Sequence, residues 1–129
     1  MKILAEISVG ELFDKITILN IKLKKIKDPE KLTNIKIELE ILIEQSNKIN
    51  LDNREKLDKY VQKLQDINEE LWDIENVKRE CEATQDFGEN FIKISRDVHF
   101  KNDIRASIKK EINLLSNSKI TEEKEYSKY

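Results

Sequence analysis

The sequence predicts an all-α fold: an antiparallel bundle of four to five helices with one long central helix and a short extended N-terminus. Three observations carry that expectation. Apolar residues recur at alternating spacings of three and four along most of the chain, which is the period of one helical face. Only two Gly and one Pro interrupt 129 residues, too few for the turns a sheet protein needs. Charged residues make up 39% and hydrophobic residues 38%, a mixture that suits amphipathic helices with solvated outer faces. A chain of this length builds one modest core, so residues 1–129 are expected to form a single domain.

Met1 to Ile7 alternates Ile3, Ala5 and Ile7 against Lys2, Leu4 and Glu6. It is too short to stand alone, so it is either a lead-in laid on the bundle or a strand pairing outside the chain. Ser8 and Glu11 form a capping box that opens the first helix. Leu12, Ile16, Leu19, Leu23 and Ile26 then give its apolar face, and Lys22, Lys24, Lys25 and Lys27 suit the negative end of its dipole. Asp28 and Pro29 supply the cap and first turn of a second helix. Leu32, Ile35, Leu39, Leu42 and Ile49 mark its buried face, interrupted by Ser46, while Ile37, Ile41 and Ile43 fall elsewhere on the wheel. A second apolar face on one helix points to self-association, most simply a homodimer.

After a polar connection from Asn47 to Asn53, Asp52 with Glu55 repeats the capping logic. The third helix runs to about Thr84, roughly 45 Å at the standard rise. Leu57, Tyr60, Leu64, Ile67, Leu71 and Ile74 keep the heptad spacing of bundles and coiled coils. Asp86 and Glu89 introduce a fourth helix whose inward face is Phe87, Phe91, Ile94 and Val98. Asn102-Asp103 reads as a cap or kink before Ile104, Ile108, Ile112 and Leu115, a fifth segment or a continuation of the fourth. From Ser118 the tail is polar, with Tyr126 and Tyr129 as its large rings.

Several function classes find no support. The 24 basic and 26 acidic residues leave a net charge of −2 and a pI near 5.6, so no global field draws the chain to nucleic acid or anionic lipid. Glu6 breaks any signal-peptide core and no run approaches membrane-spanning length, so a soluble cytoplasmic protein is expected. Cys81 is the lone cysteine and lies on the apolar seam, which suits a buried structural thiol. With one Cys and one His no zinc site of the usual kind can be assembled; no Gly-rich phosphate loop occurs, and no cofactor is expected. His99 reads as a flank residue rather than a ligand or a catalytic base.

The candidate chemistry lies on a ridge beside the seam of the third helix. Asn68, Trp72, Glu75, Arg79 and Glu82 follow the same three-and-four spacing one position over from Leu64, Ile67, Leu71 and Ile74. With Arg96, and with Asn102, Asp103, Arg105, Lys109 and Asn113, they are expected to line a polar pocket. Arg forks recognise carboxylate or phosphate in a planar, two-point way, and Glu75 and Glu82 could hold those forks. The function this suggests is binding of a small anionic ligand, with enzymatic activity left open. Arg79 and Arg105 are then expected to serve the ligand more than the fold, so Ala at either position costs little stability. Two alternatives remain: a structural or partner-binding module laced by ion pairs, and a magnesium-dependent nucleotide pyrophosphohydrolase. The second rests on Glu11 with Asp14 and Glu70 with Asp73, acids three apart on two helices, a spacing that 26 acids in 129 residues produce by chance.

Five blocks also look familiar together. They are Ile7 to Leu19 (Ile-Ser-Val-Gly-Glu-Leu-Phe-Asp-Lys-Ile-Thr-Ile-Leu), Asn68 to Glu82, Phe91 to Val98 with Arg96, Asn102 to Lys109, and Glu122 to Tyr126. In combination they resemble a small family known only as a domain of unknown function, of roughly this length and met in bacteria and their viruses. The resemblance covers nearly the whole chain. It implies a stand-alone domain and supplies no activity, and through the first block it adds Glu11, Asp14 and Lys15 as residues that close one end of the pocket.

Overall fold

A computed structural model describes all 129 residues. The chain forms four helices and no strand: α1 (Val9–Lys25), α2 (Pro29–Asn47), α3 (Arg54–Thr84) and α4 (Glu89–Leu115). The hub is α1, which packs against each of the other three; α3 and α4 pack along one another, and α2 packs on α1 alone. The core reflects this arrangement. Leu12, Phe13, Ile16 and Leu19 of α1 meet Ile35 and Leu39 of α2, Leu57, Leu64 and Ile67 of α3, and Ile112 of α4. Burial of each such side chain contributes about 1.5–3 kcal/mol. No helix is long and apolar enough to cross a membrane.

The helix starts show which capping signals prevail. Ser8 Oγ accepts from the Glu11 backbone N–H at 3.0 Å, and Asp28 caps α2 from the residue before Pro29, accepting from the Glu30 N–H at 3.0 Å. Expectation and structure part at the next two. Asn53, not Asp52, caps α3, accepting from the Lys56 N–H at 3.3 Å. Gly88 starts α4 with no side-chain cap, and Asp86 accepts from the Gly88 N–H instead. Asn102-Asp103 neither caps nor ends a helix, because α4 runs through it without a break. The fourth and fifth segments are therefore one helix of 27 residues.

The other differences follow from unequal helix lengths. The 17 residues of α1 span about 25 Å and the 31 of α3 about 46 Å, so α1 can cover only part of α3. On the part of α3 and α4 beyond the main core, Cys81 and Ile94 are the buried residues. Phe87, in the turn before α4, and Ile104, on α4, are expected to face inward but are each 49% exposed. On the opposite side, Ile37 and Ile41 remain 55% and 56% exposed, as α2 has only α1 to lie against. Met1 to Ile7 is an exposed lead-in without regular structure.

Candidate functional site

One stripe of α1 departs from its apolar character. Gly10, Asp14 and Thr17 share a face at spacings of four and three, all three are buried, and the apolar Ile21 closes the row one turn on. That face turns toward α3 and α4. At Gly10 the helices come so close that a Cβ would lie 2.6 Å from the Lys109 carbonyl oxygen, so only glycine fits. The Gly10 N–H donates to Asn113 Oδ1 at 2.7 Å. The Val9 N–H donates to Ser118 Oγ at 3.1 Å and the Glu11 N–H to Ser8 Oγ, so side chains satisfy the first three free amides of α1.

Asp14, one turn on, is the centre of the site, with its side chain only 2% exposed. Arg105 approaches from α4 with both arms of its fork, Nε donating to Oδ1 at 2.9 Å and Nη2 to Oδ2. Asn68 of α3 donates to the same Oδ1 at 2.9 Å and to Thr17 Oγ1 at 3.0 Å, while the Thr17 hydroxyl donates to the Asp14 carbonyl. A second layer surrounds Lys109. Its Nζ lies 2.6 Å from Glu11 Oε2, 3.3 Å from Glu122 Oε1 and 3.9 Å from Asp14 Oδ2, and Ser8 Oγ donates to Glu122 Oε1 at 3.0 Å.

The charges tune one another. Burial pushes the Asp14 carboxyl up, but the Arg105 and Asn68 hydrogen bonds and the charges of Arg105 and Lys109 outweigh it, leaving Asp14 below its ordinary value. The hydrogen bond to Asp14 raises Arg105 despite burial. Burial works against the Lys109 ammonium, yet the Glu11 hydrogen bond and the surrounding carboxylates raise it. Glu122 is penalised by burial but lowered overall by Ser8 and Lys109.

Two cavities adjoin this cluster, and Arg105 lines both. One is an open cleft of about 260 Å³ walled by Asn68, Trp72, Glu75, Asn102 and Arg105 together with Ile18, Ile21, Leu71 and Val98. The other is a small cavity of about 40 Å³ among Arg105, Lys109, Lys110, Asn113, Glu122, Lys124 and Ala106, where four cations surround a single carboxylate. Asp14 uses two of the five N–H donors of Arg105 and accounts for all its hydrogen bonds within the chain. The remaining donors have no hydrogen-bond partner in the chain.

Of the candidates named from sequence, Asn68, Trp72, Glu75, Asn102, Arg105, Lys109 and Asn113 gather here, and Glu11 and Asp14 join them. The others stand apart. Arg79 is 77% exposed and pairs only with Glu75, four residues before it, at 3.0 Å. Glu82 and Arg96 are exposed, Lys15 pairs outward with Glu11, and Asp103 accepts a hydrogen bond from the Tyr129 hydroxyl. Arg105 departs from the expectation set for it in one respect: it pins α4 to α1 through a buried carboxylate, so its removal cannot be cheap. Sequence reasoning did not single out Ser8, Gly10 or Thr17 for the site. The polar stripe on the most buried helix was their available signal. For the role of Glu122 no periodic signal existed.

The acids weighed as magnesium ligands are spread over different cations. Glu11 and Asp14 engage Lys109 and Arg105, Glu70 pairs with Lys101 at 2.8 Å, and Asp73 with Lys25 at 3.7 Å. No three His, Cys, Asp or Glu side chains come together as ligands for one metal ion. Comparison with curated proteins and with solved structures gives no significant match. One family matches from end to end, over residues 1–129, and the chain belongs to it: a family of unknown function (DUF6165).

Proposed function

We propose that this protein binds a small anionic molecule, its carboxylate or phosphate group received by Arg105 and its body lying in the Trp72 cleft. The observation that carries the reading is the state of Arg105. Buried Asp14 holds the fork in one orientation, its other donors have no partner in the chain, and Arg105 lines a cleft with an aromatic wall. Such preorganisation lowers the ordering cost of binding, and guanidinium is the group suited to two-point recognition of carboxylate or phosphate. Glu75 and Asn102 on the rim add polar groups that can discriminate between ligands. The proposal is for binding; Cys81 and His99 lie outside the cleft, and a reaction on the bound molecule is not part of it. Titration of a library of phosphate- and carboxylate-bearing metabolites, followed by Trp72 fluorescence and thermal shift, tests the reading. A saturable Trp72 response that disappears in Arg105→Lys, a cation unable to make the planar fork, supports it. No response from any anion up to millimolar concentration would overturn it.

A second reading has its own support. Asp14 is fully paired and Arg79 is exposed, as a structural module laced by ion pairs would have them, and α2 shows Ile37 and Ile41 to solvent. In that reading the bundle is a module for protein contacts, self-association through α2 among them. Sedimentation at micromolar concentration distinguishes the two: a dimer dispersed by Ile37→Glu favours the module, and a monomer removes this support.

A further inference from the structure

The last twelve residues have no regular structure and no apolar face, yet they follow a defined course. After α4 ends, the Ser118 hydroxyl accepts from the Val9 N–H and donates to the Ile120 carbonyl at 2.7 Å. The chain then turns back along α4, with Glu122 at Lys109, Glu123 at Lys110 and Tyr129 at Asp103. The Tyr129 ring ends the path, its centroid 5.1 Å from that of His99 and 5.0 Å from that of Phe100. Every residue from Thr121 to Tyr129 is exposed. Between its anchors the segment bridges an open space of about 790 Å³ over His99, Asp103 and Ala106. The tail is thus a strap attached at its ends by polar contacts and, at Tyr129, by ring packing on His99 and Phe100.

At its inner anchor the strap inserts a carboxylate into the cavity that Arg105 shares with the Trp72 cleft. Lys109, Lys110, Lys124 and Arg105 surround that cavity, and Glu122 is the one acid lining it. The Glu122 carboxylate accepts from Ser8 Oγ and Lys109 Nζ, in the way an external carboxylate or phosphate would be received. Resting on the proposal that Arg105 serves an anionic ligand, we infer that the strap from Glu122 to Tyr129 is a built-in competitor. Glu122 fills, from the Lys109 side, the cavity that Arg105 also lines, so a ligand's charged group reaching Arg105 and Lys109 there requires the strap to lift. Glu122 is itself 46% exposed and the Glu123–Lys110 pair lies at the surface, so the strap is held weakly enough for millimolar anions to displace it. The price is a reduced apparent affinity, since only the lifted fraction of molecules can bind.

The test uses the full chain, Glu122→Gln, and a chain ending at Thr121, which keeps the Ser118 contact to α1. Inorganic phosphate and citrate are titrated calorimetrically at low ionic strength. Both variants are expected to bind these anions about tenfold more tightly than the full chain, the gain from a strap closed about nine-tenths of the time. In the full chain, trypsin cleavage after Lys124 is expected to quicken as phosphate is added. Equal or weaker affinity in both variants would overturn the competitor, as would a gain on truncation that Glu122→Gln does not share. Failure of the anion-binding proposal looks different: neither anion binds any of the three chains. Binding reported by Trp72 but indifferent to truncation would overturn the strap alone.

Discussion

Replacing Arg105 by Ala isolates the contact on which the site depends. Asp14 has 2% of its side chain exposed, against 28% for Arg105, so the substitution leaves a buried carboxylate short of its two-point partner. Removing one member of a buried pair costs about 3–5 kcal/mol, chiefly through the charge left behind. Two features place this case at the lower end: Asn68 keeps its 2.9 Å hydrogen bond to Oδ1, and Lys109, at 3.9 Å, supplies residual positive charge. The vacated Arg105 volume also adjoins solvent-facing cavities, so water can enter. A loss of about 3 kcal/mol follows, a large part of the 5–15 kcal/mol that holds an ordinary domain. Urea denaturation read by far-ultraviolet circular dichroism and by Trp72 emission measures it. Adding Asp14→Asn to Arg105→Ala removes the stranded charge and is expected to recover about 1 kcal/mol or more. A loss below about 0.5 kcal/mol for Arg105→Ala, or a double variant less stable than Arg105→Ala alone, would refute the reasoning.

Arg79→Ala is the matched control: with an exposed intrahelical pair as its only contact, it should change stability by less than about 0.5 kcal/mol in the same assay. Gly10→Ala drives a methyl toward the Lys109 carbonyl and should cost about 1–3 kcal/mol, measured as a lowered melting temperature; an unchanged melting temperature would mean that α1 and α4 do not meet there. For pH the signs are explicit. Asp14 and Glu122 are depressed on folding, so their contribution is complete above their unfolded values near pH 4 and fades as pH falls through their lower folded values. Lys109 is raised, so its contribution is complete below about pH 10 and fades as pH rises through the folded value. Urea midpoints should fall on both sides of a neutral plateau, and a midpoint that rises on acidification below pH 4 would contradict this cluster. Nucleoside triphosphates with magnesium should show no turnover, because the four candidate ligands are engaged by Arg105, Lys109, Lys101 and Lys25; hydrolysis lost in Glu70→Gln would reverse that judgement.

The all-helical class, the Ser8 and Asp28 caps, the end of α3 at Thr84 and the buried state of Cys81 were legible in the sequence. Each depends on interactions within a few residues or on a periodic row, and both are written directly into residue order. Misreadings came where two local signals competed, as with Asp52 and Asn53, or where a plausible break at Asn102-Asp103 lay inside a helix that packing carries through. The row from Asn68 to Glu82 lies on α3 as its spacing implies, but periodicity cannot say where a neighbour ends. The three-dimensional arrangement decided that Asn68, Trp72 and Glu75 face a cleft while Arg79 and Glu82 stand exposed. It also decided the centre of the site. Asp14, Arg105 and Glu122 lie 91 and 17 positions apart in order along the chain, and no local rule connects them. They meet because Gly10 lets α1 close on α4 and because the tail turns back over the joint, placing opposite charges together where burial leaves each dependent on the others.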